Sequence, residues 1–347
     1  MTDRVVSPGR YKVPTIRDVA ARAGVAPATV SNVITGRRRV APHLRSQVLE
    51  AVEALGYRPN QVAASLRLQQ TRTIGIVVPN LSNPFFADLV RRLEELAAKQ
   101  AYQVLLVGTN ETATQEGERI SALLSRRIDG LIVSPTNDDT SAFSETGLGG
   151  PPVVLVDRGF GAENFDTVGA DNVDAAYRGT RYLIQLGHRD IALIVIAGNL
   201  SNISERVDGY RQALAEAGLS ARERVCAGGL TIDSCRAAVD GELARADRPT
   251  AIFGTGYAAV LGAIKAVQAV NLTIPHDISL LGFDDSDWMT VLRPYVSTLS
   301  QPVEAMAATA WKLLNARLAG DAADFQRVRL PCALEVREST APPVRLT

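Results

Sequence analysis

The chain is poor in the residues that carry covalent and metal chemistry: three cysteines and three histidines among 347 residues. Cys226, Cys235 and Cys332 are odd in number and never stand at C-x-x-C spacing. That excludes a disulfide framework, suits a reducing cytoplasm, and leaves small buried apolar side chains as their expected role. His43, His188 and His276 have no cysteine or carboxylate partner at metal or triad spacing. No metal, cofactor or catalytic centre is therefore expected. Aromatics are scarce, at 5%. No apolar run approaches the ~18 residues that a membrane span needs. The opening "MTDRVVSPGRYKVP" is polar and basic, without the apolar core of a secretory signal. The expectation is a cytoplasmic protein with no membrane partner.

Net charge is also missing, since 37 basic residues balance 37 acidic ones. The balance hides an asymmetry. Residues 1–72 hold 12 Lys and Arg against 4 Asp and Glu, leaving 25 against 33 in residues 73–347. A basic head on an acidic body points to a polyanion as the partner of the head alone.

The head carries "TIRDVAARAGVAPATVSNVITG". Thr15 is placed to cap a helix, with Asp18 at its third position. Ile16, Val19, Ala20 and Ala23 form one apolar face, and Gly24 ends it. A second helix is expected from Pro27 to Thr35, and a third from Pro42 to Leu55. Two helices joined by a short glycine turn make a helix-turn-helix, whose second helix lies in a major groove. The outward face of that helix shows Ala28, Thr29, Ser31 and Asn32, and Arg37, Arg38 and Arg39 follow it. Short side chains let a helix approach base edges, and arginines at its exit reach phosphates.

These residues, with "ALGYRPNQVAASL", "PNLSNPFF", "LGHRDIALI", "ERVDGYRQAL" and "PHDISLLGFDD", give the chain a resemblance to the LacI/GalR family of bacterial transcription regulators over about residues 14–340. The resemblance implies that Pro27, Ala28 and Asn32 read bases. It implies that Thr15, Thr29, Ser31, the three arginines, Tyr57 and Asn60 hold the DNA backbone. Leu66 would wedge into the minor groove from a hinge segment. One departure is Ala26, where related proteins usually carry a small hydroxyl residue that would cap the second helix.

From Thr73 strands alternate with helices in two successive sets, which means parallel sheets covered on both faces. The expected fold is an all-α helix-turn-helix head plus an α/β core like that of periplasmic binding proteins, with two doubly wound parallel-sheet lobes. The expected limits are 1–13 for an N-terminal extension, 14–59 for the head, 60–72 for the hinge, 73–340 for the effector-binding and dimerisation body, and 341–347 for a tail. Lobe 1 takes about 73–170 and 300–327. Lobe 2 takes about 171–299 and 328–340. Open parallel sheets bind ligands beyond the carboxyl ends of their strands. The resemblance places Phe86, Arg158, Asp171, Arg206, Leu230, Tyr257 and Asp284 around that cleft. Trp288, four residues after Asp284, is a further candidate for a stacking face.

"AIFGTGYAAVLG" contains G-x-G-x-x-A after a strand, the short form of a dinucleotide fingerprint. It stands deep in the second lobe, whereas a cofactor cradle should open its own domain. In the resembling family this turn usually ends in an aspartate that binds a ligand hydroxyl, and here Tyr257 takes the place. Tyr offers one hydroxyl, a large ring and no charge. The effector is thus expected to be less hydroxylated than a free hexose, and acidic, aromatic or phosphorylated, held by Arg206 and Arg158. The expected function is a homodimeric repressor of catabolic or transport genes. It binds near-palindromic double-stranded operator DNA under control of a small-molecule effector such as a sugar or sugar acid. The alternative is a repressor whose cleft Tyr257 fills and which answers to no small molecule. The tail holds no leucine heptad, so no tetramer is expected.

Overall fold

The computed structural model describes residues 14–36, 38–58, 70–139, 150–196 and 200–344. They fall into two units, divided between Thr71 and Arg72.

The first unit holds α1 (Ile16–Ala23), α2 (Pro27–Thr35) and α3 (Pro42–Leu55). Thr15 and Asp18 form a capping box: the Asp18 N–H donates to Thr15 Oγ1, and the Thr15 N–H donates to the Asp18 carboxylate at 2.8 Å. Gly24 ends α1 at φ 64°, a left-handed conformation that glycine adopts without steric cost. Val19, Ala20, Val30, Val33, Val48 and Ala51 make the core, with Tyr57 packed against it. Ala26 at the start of α2 makes no side-chain cap, and Pro27 stands in the first turn.

The second unit opens with β1 (Thr73–Val78), α4 (Pro84–Lys99), β2 (Gln103–Gly108), α5 (Ala113–Leu124), β3 (Gly130–Val133), β4 (Val153–Val156) and β5 (Asp166–Ala170). It continues with α6 (Asn172–Gln185), β6 (Ile191–Val195), α7 (Ser201–Glu216), β7 (Val225–Ala227), α8 (Ile232–Leu243), β8 (Ala251–Gly254), α9 (Tyr257–Ala269), β9 (Ser279–Phe283) and β10 (Ser297–Ser300). The chain then returns through α10 (Val303–Leu318), β11 (Arg327–Leu330) and β12 (Ala333–Glu335). Two six-stranded sheets result, in the orders β11-β5-β4-β3-β1-β2 and β12-β10-β9-β8-β6-β7. All pairs are parallel except β10 with β12. The central strands are short β-branched and leucine runs such as "GLIV" and "VVLV", buried on both faces as parallel strands require. Helices cover each sheet on two sides, giving each lobe two apolar layers.

The chain therefore crosses between lobes near 171, near 301 and at 331–332. The expected third crossing near 328 falls a few residues later. Arg327–Leu330 pairs in parallel with Thr167–Ala170 and so still belongs to lobe 1.

Candidate functional sites

In the head, Pro27 and Ala28 are exposed and Thr29, Ser31 and Asn32 half-buried on α2, while Arg38 and Arg39 are exposed beyond its end. Thr15 is exposed at the start of α1, and Tyr57 is half-buried after α3. Arg37, Asn60 and Leu66 lie outside the described residues.

In the body, the candidate site residues gather on the loops and helix starts beyond the carboxyl ends of the strands. Arg206 sits in the second turn of α7, 2% exposed. Gly209 puts it there: a Cβ at 209 would fall 2.2 Å from the Val173 carbonyl oxygen, so only glycine lets α7 lie this close to α6. Arg206 Nε donates to Asn172 Oδ1 at 2.9 Å, and Nη1 donates to the Thr255 carbonyl at 2.6 Å. Its guanidinium lies 3.6 Å from the centre of the Phe283 ring. Burial pulls its pKa below the ordinary arginine value, while the carboxylates of Asp284 and Asp157 favour its charge.

Asp284 follows β9 at φ 73° and accepts from Gln301 Nε2 at 2.7 Å. Asp157 ends β4 at φ 67° and accepts from Asn202 Nδ2 at 3.5 Å. Non-glycine residues held in this region mark places where surrounding contacts override local preference, which happens disproportionately at functional sites. Both carboxyl groups are buried, and burial raises both pKa values, with Asp157 pushed up to about 6 against the pull of Arg158 and Arg206. The Asn202 Oδ1 and Gln301 Oε1 acceptors beside these carboxylates are buried and find no donor among the described residues.

Arg158 is no free cation. Its guanidinium grips Glu111 through both oxygens, at 2.8 and 3.0 Å, and donates to the Pro135 carbonyl at 3.2 Å. It stands 5.8 Å from the centre of the Phe86 ring. Phe86 is part of the lobe 1 core, edge-to-face with Phe85. Asp171 caps α6, accepting from the Asp174 N–H at 3.1 Å. Tyr257 is the first residue of α9 and half-buried, and Leu230 is exposed. Trp288 departs from expectation. It packs on the lobe 2 core and lines a separate cavity of about 480 Å³ with Leu261, Ile264, Leu272, Ile274 and Leu292. A 3₁₀ turn at Asp287–Thr290 directs it there.

Sequence reasoning left out Glu111, Asp157, Asn202 and Gln301. Asp157 directly precedes the candidate Arg158 in the chain, and an acid at a strand end is the signal that points to it. The first glycine of "GTG" serves packing: a Cβ at Gly254 would lie 3.0 Å from the Val260 backbone nitrogen, whereas one at Gly256 would meet nothing nearer than Ile196 at 3.4 Å.

The raised Asp157 pKa gives a pH prediction. The folded value of about 6 lies above the unfolded value near 3.8. The protonated form is thus favoured by folding, and this group's contribution is lost as pH rises through 6. Asp157 faces Arg158, Arg206, Asp284 and Glu111. Melting curves of wild type and Asp157→Asn between pH 5 and 7.5 check it. The wild type should fall relative to the variant as pH rises through 6, and parallel curves would refute the assignment.

A helix-turn-helix head joined to a two-lobed body with buried polar groups between its strand ends is the plan of a ligand-controlled DNA-binding regulator. Residues 15–60 match the family model for bacterial regulatory proteins of the lacI family, and residues 71–321 match that for periplasmic binding proteins and the sugar binding domain of the LacI family. Catabolite control protein A of Priestia megaterium is 35% identical, over 94% of this chain and 99% of that protein. The PurR repressor of Erwinia tasmaniensis is 34% identical, over 94% and 97%. Among solved structures, the lac repressor dimer bound to operator and the anti-inducer ONPF superimposes with a TM-score of 0.86 at 25% identity, over 95% and 100% of the two chains. The complex of the regulator CelR with cellobiose gives a TM-score of 0.70 at 31% identity, over 94% and 99%. The chain belongs to the LacI family. Among the described residues no helix is long and apolar enough to cross a membrane.

Proposed function

We propose that this LacI-family regulator is a cytoplasmic, non-enzymatic repressor that binds operator DNA as a homodimer and is controlled by a neutral, hydroxylated small molecule held between its lobes. One observation carries the ligand class. Two buried carboxyl groups, Asp157 from lobe 1 and Asp284 from lobe 2, face the guanidinium of Arg206, while Arg158, 3.7 Å from Asp157, is divided between that acid and Glu111. Carboxylates accept hydrogen bonds from hydroxyl donors, and the Asn202 and Gln301 oxygens add acceptors. Arg158 is already committed to Glu111. An acidic or phosphorylated effector, the expectation from sequence, would meet more negative charge than positive. Calorimetry with neutral pentoses, hexoses and disaccharides against the matching sugar acids tests this. Saturable heat from a neutral sugar supports it, and heat from the acids alone overturns it. Silence from every compound would move support to an effector-independent repressor.

For the DNA face, Asn32 suits bidentate pairing with adenine N6 and N7. Asn32→Ala is expected to relax preference at one base pair by ~1–3 kcal/mol. Arg38→Ala should weaken all sequences about equally and flatten the salt dependence by about one counterion. Anisotropy titrations on duplexes selected from a random pool, at several salt concentrations, separate the two. Loss of base preference in the Arg38 variant would contradict the division of roles.

Dimerisation is assigned to the face around Leu292. Val291 and Leu292 are 69% and 75% exposed, and Leu292 borders the apolar cavity that Trp288 lines.

A further inference from the structure

Bonds from three separate elements of lobe 1 converge on the first turns of α7 in lobe 2. Asp138, in the loop after β3, accepts from the Ser201 N–H at 2.8 Å and from Ser201 Oγ at 2.9 Å. Asp157, at the end of β4, accepts from Asn202. Arg329, in β11, donates to both Glu205 carboxylate oxygens, at 2.9 and 2.6 Å. The residue after Glu205 is Arg206, the guanidinium at the centre of the cleft.

Helix α7 has no cap of its own. Its N-cap residue is Leu200, which makes no side-chain bond. The first turn of any helix leaves backbone N–H groups unsatisfied and carries partial positive charge. Here the acceptor comes from the opposite lobe. The loop that presents Asp138 is braced from below. The Thr136 N–H donates to buried Glu116 at 2.6 Å, Arg158 holds the Pro135 carbonyl, and the hydroxyls of Thr136 and Thr109 bond at 2.8 Å.

We propose that Asp138 is an inter-lobe helix cap which, with the Arg329–Glu205 pair, latches α7 to lobe 1 and sets the open–closed balance of the body without touching the effector. Opening the lobes strips α7 of its cap and returns the Asp138 carboxylate to water. By the usual worth of an N-cap, its loss shifts the closed-to-open ratio roughly fivefold. Losing the partly exposed Arg329–Glu205 pair shifts it about twofold. An effector that bridges the lobes binds the closed form, so its apparent affinity follows the closed fraction. Only this last consequence rests on the function proposed above.

The test is hydrogen exchange on the full chain without effector or DNA, in wild type, Asp138→Ala, Asp138→Asn and Arg329→Gln. Asp138→Ala is expected to speed exchange about fivefold along Ser201–Arg206. It should do the same on the lobe 1 walls at 157–161 and 329–332, which Asp138 does not touch. Asp138→Asn, an equally good cap, restores protection, and Arg329→Gln gives the smaller effect at the same segments. Faster exchange confined to the first turn of α7 would show a local cap with no part in closure and overturn the proposal, as would unchanged exchange. Melting temperatures taken alongside identify any variant that fails to fold. No arm uses a sugar or an operator, so a wrong ligand class leaves this result standing.

Discussion

Leu292→Asp is expected to convert the dimer to monomers and to weaken operator binding by about 10²–10⁴-fold. Leu292 projects from the turn before β10, 75% exposed. Beside it opens the cavity of about 480 Å³ walled by Leu261, Ile264, Leu272, Ile274 and Trp288. An apolar knob and an apolar hole on one face are self-complementary. A two-fold axis seats each knob in the partner's hole, the geometry of an isologous interface. A carboxylate on the knob would leave water for a mostly apolar pocket whose one lining cation, Arg293, is already paired with Glu338, a cost that association does not offset. Operator affinity then falls because one head binds alone, losing the effective concentration that the second head enjoys once the first has docked. Light scattering after size exclusion reads the mass, and anisotropy on a palindrome selected from a random duplex pool reads the affinity. A Leu292→Asp protein that stayed dimeric would remove this face from consideration. A monomer with unchanged affinity would remove the premise that the two heads act together.

Much of the architecture was legible in the sequence because its determinants are local. "TIGIVV", "GLIV" and "VVLV" are buried strands by composition alone, and Thr15 with Asp18 spells a capping box three residues apart. Strand β5 was not legible. "DTVGA" opens with an acid and contains a glycine, and its place is fixed by a partner 151 residues away. Asp166 is fully buried and takes two bonds from Arg317, at 2.7 and 3.0 Å, and one from the Gln326 N–H. The same long-range pairing moved the third lobe crossing past Leu330. At the cleft the pattern repeats. Helix and strand ends said where side chains gather, but not which charges are already spent. Nothing near Arg158 in the chain reveals that Glu111, 47 residues earlier, occupies its guanidinium. Nothing in "DDSDW" says that Trp288 turns away to the lobe 2 core.

Arg206→Ala should produce the largest loss of stability among single changes in the cleft, about 3–5 kcal/mol and on the order of 10 °C in melting temperature. The guanidinium is 2% exposed and stands between two buried carboxyl groups contributed by different lobes. Removing it orphans the Asn172 Oδ1 and Thr255 carbonyl acceptors and leaves Asp157 and Asp284 without their shared counter-charge. The two acids must then take up protons or draw in water, and either route costs free energy. Arg206→Lys separates charge from shape. Lysine returns a positive charge but not the planar fork that spans Asn172 and Thr255 while lying flat on Phe283. Its melting temperature should recover only in part, and binding of a neutral sugar should remain weak. Without this guanidinium both acids take up protons at a higher pH than in wild type, so the deficit of Arg206→Ala against wild type should narrow as pH falls toward 6. If Arg206→Ala melts with wild type at every pH, the carboxyl groups are not held by this guanidinium, and the assignment of Arg206 as the charge centre of the cleft fails.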